Sequence, residues 1–306
     1  MNKNYVLKYL FVSIFFLAIS VSATKERKDE KKIEVDLYGK LELNSNVGDV
    51  KVIKSTSNEA HIEVFVKGSE KKVDKFKTDI SYDKSKKILK VKGDFDRGIV
   101  EKFKFGLFRS SSLEVKFVVS VPEKFISNIT TSGGDIVIDS LLNKQVGKTS
   151  GGDIRVENCS GEIYMSTSGG NIEVRNLNGK SDLKTSGGDI VVFNTKGNIN
   201  AKTSGGNLTF EDVEGKIDGE TSGGEINVRA KKNEGVNLKT SGGNIRLKLP
   251  NDTKANLDAS TSFGEVSCSL QFSGEIKKSK IDGKINNGGN KIILKTSGGD
   301  IKIEGF

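Results

Sequence analysis

Carboxylates recur down this chain at a fixed interval. Asp135, Asp153, Asp189, Glu225, Glu265 and Asp300 share one column with Asn171, Asn207 and Asn244 once the sequence is aligned by its repeat. Carboxylates clustered beside Arg or Lys are what a polysaccharide hydrolase or lyase needs for general acid–base chemistry. The same oxygens are the ligand type that calcium prefers. Both chemistries need several groups to converge at one place, whereas this column delivers one group per repeat and dilutes its charge with Asn. A catalytic site should interrupt a repeat once, so the column reads as a turn position. Calcium-binding β-rolls gather ligands on a Gly-Gly-x-Gly-x-Asp nonapeptide, far denser than one acid per 18 residues. His61 is the only histidine; it lies in the strand-like run 61–66 with no triad partner, and reads as a surface or edge residue. Cys159 and Cys268 fall on inward-facing positions as small buried thiols, and imply no disulfide framework. Nucleophilic catalysis has no support. No catalytic residue, cofactor or metal ligand is assigned, and the chain reads as a non-enzyme.

The elements that carry this column are set by nine Thr-Ser-Gly-Gly-like blocks starting at Thr131, Thr149, Thr167, Thr185, Thr203, Thr221, Thr240, Thr261 and Thr296, the first six spaced 18 residues apart. A fixed period of this size marks a solenoid. With Thr as position 1, position 6 is aliphatic in every copy, from Ile136 to Ile301, and position 8 is apolar from Ile138 to Ile303. Positions 7 and 9 are mostly polar, giving a strand with one buried face. A weaker strand follows a glycine at position 13, with Ile163, Met165, Leu183 and Ile199 pointing inward. The Gly-Gly pair is expected to supply positive φ at a corner. A left-handed hexapeptide helix would need aliphatics at position 18, where Lys148, Ser166, Lys184, Lys202 and Glu220 stand. The expectation is an all-β, right-handed parallel β-solenoid, or β-helix, of about 18 residues per coil. Coils about 4.8 Å apart would make a rod roughly 40 Å long. Stacking would place Glu157 beside Arg175 and Glu211 beside Arg229.

Residues 1–23 read as a secretory signal peptide: Lys3 and Lys8, an apolar run from Leu10 to Ile19, then Val21-Ser22-Ala23. Export is the expected fate, and no later segment is apolar enough to span a bilayer. Residues 24–32 alternate in charge and read as a disordered charged linker. Residues 33–306 then form a single solenoid domain, with irregular coils and a cap over 33–130 and regular coils over 131–306. The basic excess belongs to the first part, where residues 24–130 hold 24 Lys and Arg against 18 Asp and Glu, while 131–306 hold 23 against 22. Alternating signs on an exported chain argue against nucleic acid as a partner.

Within the irregular part, Asn46-Val47-Gly48-Asp49-Val50-Lys51-Val52 is a degenerate corner, and Val73, Phe76 and Ile80 at helical spacing predict a short helix or a loop excursion that shields the N-terminal end of the stack. Phe103, Phe105, Phe108 and Arg109 mix aromatics with basic residues, fitting either a hairpin strand or a contact with lipid or an anionic polymer. Arg175, Val191 and Phe193 mark a second apolar-basic spot on an outward wall, suited to a sugar ring or a protein. From 261 to 296 the repeat stretches to 35 residues, which reads as two coils fused, leaving a C-terminal excursion to cap the rod or its end to meet a partner.

The degenerate corner at 46–52, the Val121-Pro122 punctuation and the repeated Thr-Ser-Gly-Gly-Asp-Ile blocks together resemble the bacterial putative-adhesin family of β-solenoid proteins, long carried as a domain of unknown function. The resemblance covers about residues 33–306. It implies an exported or envelope-facing protein, tied to surface adhesion or to envelope-stress sensing, and it transfers no catalytic residue. The reading is a non-catalytic binding or scaffolding protein of the periplasm, outer surface or extracellular space, whose partner is an envelope protein or polysaccharide, with peripheral membrane contact. The inward assignment has a direct test by thermal melting: Ile172→Asp should unfold or aggregate the protein and Glu173→Lys should be nearly neutral. Equal tolerance of both would refute it.

Overall fold

Alternation of buried and exposed side chains accompanies extended backbone through most of the computed structural model, which describes residues 24–96 and 113–306. The signal-like segment 1–23 and the Phe103, Phe105, Phe108 and Arg109 cluster lie outside the described residues. Among the described residues no helix is long and apolar enough to cross a membrane. The first part runs β1 (Thr24–Glu34), β2 (Lys40–Ser45), β3 (Asp49–Lys54), β4 (Glu59–Ser69), α1 (Glu70–Lys75), β5 (Phe76–Asp83), β6 (Ile88–Phe95), β7 (Glu114–Val121), β8 (Ile126–Thr130) and β9 (Ile136–Asp139). The regular part continues with β10 (Gln145–Lys148), β11 (Ile154–Glu157), β12 (Ser160–Ser166), β13 (Ile172–Arg175), β14 (Asn178–Lys184), β15 (Ile190–Lys196), β16 (Ile199–Lys202), β17 (Leu208–Glu220) and β18 (Ile226–Lys239).

These strands form two parallel ladders. In one, Ile154 pairs with Ile172, Ile172 with Ile190 and Ile190 with Leu208. In the other, Gln145 pairs with Ile163 and Met165 with Leu183. The position 6 and 8 aliphatics between the ladders are buried from Ile136 to Ile303, with Cys268 only half-buried in the outermost copy.

The corner works differently from the sequence expectation. No glycine of a Thr-Ser-Gly-Gly block is in the left-handed region; that conformation belongs to position 13, as at Gly161 (φ 103°) and Gly197 (φ 125°). The second glycine of each block is required by proximity instead. A Cβ on Gly152 would sit 2.1 Å from the Gly134 carbonyl oxygen, and one on Gly170 would sit 2.0 Å from that of Gly152. Around Gly151, by contrast, the space is open. The close approach lets each threonine hydroxyl donate to the carbonyl of the coil beneath, as Thr149 to Gly134 and Thr167 to Gly152, both at 2.9 Å. At the opposite corner, position 10 holds Asn158, Asn176 and Asn194 at φ of 53°, 53° and 49°, a conformation that Asn tolerates. Their amides form a ladder, Asn176 donating to Asn158 at 3.0 Å and Asn194 to Asn176 at 2.8 Å.

Both ends of the stack depart from chain order. β2 lies between β6 and β8, and β3 between β7 and β9, so the 40–54 coil is flanked on both sides. At the other end come β19 (Ile245–Leu249), β20 (Ala255–Ser260), β21 (Val266–Cys268), β22 (Phe272–Lys277), β23 (Lys280–Ile285), β24 (Asn290–Lys295) and β25 (Ile301–Gly305). β24 inserts between β18 and β20, and β25 between β19 and β21. The stretch read as two fused coils is therefore β21 of the outermost coil, a β22–β23 hairpin whose β23 runs antiparallel to β20, and then the inserted β24.

Antiparallel strands cover the N-terminal side, with β5 on β6, β4 on β7 and β1 on β4. The proposed helix over Val73, Phe76 and Ile80 is shorter than its spacing suggests: α1 ends at Lys75, and Phe76 opens β5 with its ring edge-on to Phe117 at 6.2 Å. Residues 24–32 are no linker, because β1 pairs with β4 from Thr24–Ser69 to Glu34–Glu59. Backbone pairing needs no apolar side chain, and the mixed charges find partners on both faces. Arg27 donates to the carbonyls of Val73 and Phe76 at 3.0 Å, and Lys25 to Asp74 at 2.8 Å.

The two glycines of one block separate these constraints. Gly152→Ala is expected to destabilise by about 3 kcal/mol or more, as overpacking against rigid backbone does. Gly151→Ala is expected to stay within about 1 kcal/mol of the parent. Denaturant melts of the two variants check the difference.

Candidate contact surface

The carboxylate column is occupied by hydrogen bonds that hold the stack. Asp153 N–H donates to Asp135 Oδ1 at 2.8 Å, Asn171 N–H to Asp153 Oδ1 at 2.7 Å, and Asp189 N–H to Asn171 Oδ1 at 2.9 Å. The series ends across the inserted strands, where Asp300 N–H donates to Asn244 Oδ1 at 2.8 Å and Glu265 N–H to Asp300 Oδ1 at 2.9 Å. Asp and Asn serve alike because each offers one oxygen at the same reach. Each Asp or Asn of the column therefore bonds the next coil's backbone, while Glu225 accepts from the Asn244 side chain at 3.0 Å and Glu265 pairs with Lys278 at 3.0 Å, so the column does not converge on one point.

Positions 7 and 9 form the outward wall, and there the repeat loses uniformity. β13 and β15 bring Arg175 into register with Phe193, the guanidinium lying 5.6 Å over the ring, and set Val191 beside Glu173. Arg175, Val191 and Phe193 thus form one cluster. Glu173 accepts from Arg155 at 3.0 Å and also from Arg175. Partial burial raises its carboxyl pKa, but the two arginines outweigh that and hold it below its ordinary value. Glu157 does register with Arg175, yet the ion pair forms with Glu173 on Arg175's own strand; Arg229 likewise registers with Glu211 but bonds Asp212 at 2.9 Å. The near-neutral expectation for Glu173→Lys therefore becomes a modest loss, about 1 kcal/mol, because a lysine there would face two arginines.

Farther along the wall a shallow depression of about 390 Å3 is lined by Thr209, Glu211, Asn227, Arg229, Arg246 and Lys248. Arg229 lies 4.5 Å over the Phe306 ring, and Arg246 reaches Asn227 at 3.4 Å. Sequence reasoning placed Arg229 only as a ladder partner of Glu211 and missed Arg246 and Lys248. Reading position 7 and 9 columns across copies would have found Arg229, Arg246 and Lys248, since they turn basic in successive coils. The Phe306 contact carried no such signal, because it depends on β25 lying against β19.

His61 does find partners: its Nε2 lies 2.8 Å from Glu30 Oε1, with Glu63 alongside. Both cysteines are free. Burial pushes the Cys159 thiol up to about 11, and burial raises Cys268 as well.

A model of the family described as Toastrack DUF4097 matches residues 38–304. A solved structure from Parabacteroides distasonis, described as a putative adhesin, shares 15% identity with a TM-score of 0.51, covering 92% of this chain and 97% of that one. A putative adhesin from Parabacteroides merdae shares 18% identity at TM-score 0.48, covering 92% and 96%. A putative lipid binding protein from Parabacteroides distasonis shares 16% at 0.43, covering 91% and 96%. No curated protein matches.

With Cys159 protonated at neutral pH, a thiol reagent is expected to modify it slowly in the folded protein and at once in denaturant. Prompt labelling of Cys159 in the native state would contradict its burial.

Proposed function

The chain belongs to the Toastrack DUF4097 family, and from that premise we propose that it is a non-catalytic, exported binding or scaffolding protein of the cell envelope. The scaffold in this reading is a right-handed parallel solenoid of about 18 residues per coil, presenting its outward wall to an envelope polysaccharide or surface protein. One observation carries it. The Asx column that could have done acid–base chemistry is committed, coil after coil, to backbone hydrogen bonds, while the wall beside it departs from the repeat with Arg175 over Phe193 and Arg229 over Phe306. Arg–aromatic pairs present a flat apolar face with charge at its edge, which suits a sugar ring bearing carboxylate or sulfate. Arg246 and Lys248 extend that charge along the depression. Export rests on the signal-like segment 1–23, and the adhesin-like role agrees with what the structure of similar fold is described as.

Binding of the purified protein to a uronate-containing polysaccharide and to its neutral counterpart tests this. The acidic polymer should bind more tightly, and the double variant Arg246→Glu, Lys248→Glu should weaken binding about tenfold while leaving the melt unchanged. Chain cleavage of either polymer, abolished by substitution of a single acid, would overturn the non-catalytic reading.

A further inference from the structure

On the outer face of the β1–β4 pair, Glu30 stands directly opposite Glu63, and His61 lies two residues before Glu63 on the same face. One ligand atom from each, an imidazole nitrogen and two carboxylate oxygens, lies within 4.8 Å of the others. The centre of this group already attracts a cation: the Lys28 ammonium sits 2.8 Å from Glu30 Oε2 and 2.6 Å from Glu63 Oε1. His61 Nε2 meets the other oxygen of Glu30 at 2.8 Å. The strands fix this arrangement, since cross-strand neighbours on one face of an antiparallel pair approach to about 5 Å.

We propose that Glu30, His61 and Glu63 form a binding site for a borderline divalent metal ion, with Zn2+ as the representative, which takes the place of the Lys28 ammonium. Imidazole with carboxylates is a donor set that suits zinc, with water completing a tetrahedral shell; the imidazole disfavours calcium and magnesium. Drawing three donors to about 2.1 Å from one ion needs only side-chain rotation, because the groups are already neighbours and partly exposed. Lys28 can leave at little cost: its head is half-exposed, exposed ion pairs contribute little, and the Phe65 ring, 5.5 Å from the ammonium, remains as a contact for the displaced cation. The bound ion would clamp β1 to β4, the one strand with which β1 pairs among the described residues.

Titration calorimetry of the full chain with ZnCl2 at neutral pH tests the site. One ion per chain should bind, His61→Ala and Glu63→Gln should each weaken it by about tenfold or more, and Lys28→Ala should tighten it by removing the competing cation. Zinc should also slow amide exchange along β1 in the parent and not in His61→Ala, a readout that circular dichroism accompanies to confirm that the variant folds. Absence of binding at millimolar zinc, binding indifferent to His61→Ala, or a Lys28→Ala affinity no tighter than the parent would each overturn the proposal.

Discussion

At each repeated corner the backbone of one coil rests on the backbone of the next with no side chain between them. A methyl group on the second glycine would lie about 2 Å from a carbonyl oxygen of the neighbouring coil, well inside contact distance. This approach places the threonine hydroxyl on that same carbonyl and the Asx side chain on the next backbone amide, so three columns of residue types follow from one spacing. The aliphatic core could tolerate changes of shape, as cores do. The glycine position could not, because its neighbour is main chain and has nowhere to go.

That constraint also explains what was readable beforehand. The inward Ile172 and Val174, the two strands per coil and the parallel register all follow from the spacing of apolar residues and glycines, and the sequence shows both. The assignment of positive φ to the Gly-Gly pair failed because a glycine demanded by crowding looks the same in a sequence as one demanded by dihedral angle. β1 was unreadable for another reason: Lys25 to Lys32 lack any apolar alternation, yet pairing with β4 uses backbone groups that every residue carries. The insertion of β24 and β25 was invisible because the blocks at Thr240, Thr261 and Thr296 are interchangeable as stacking surfaces, so local pattern cannot choose among their orders.

The wall shows the complementary behaviour. Where a column faces a neighbouring coil, composition is nearly invariant; where it faces outward, Arg175, Phe193, Glu211, Arg229 and Lys248 mix basic, aromatic and acidic side chains. Backbone geometry fixes the first and leaves the second free. Val191 and Phe193 stood out as apolar departures in a polar column, whereas the basic residues beyond them were masked by a chain already rich in lysine. Individual side chains on such a wall can change without disturbing the stack beneath, which is the property a contact surface needs.

The inserted strands bear on how the molecule would carry a load. β25 is bonded on both sides, to β19 and β21, and β24 to β18 and β20, whereas among the described residues β1 is bonded on one side, to β4. Tension applied through residue 305 along its strand must shear two ladders together, while tension through residue 24 can peel a single one. The described part of the protein is thus mechanically polar, strong toward one direction of pull and yielding toward the other.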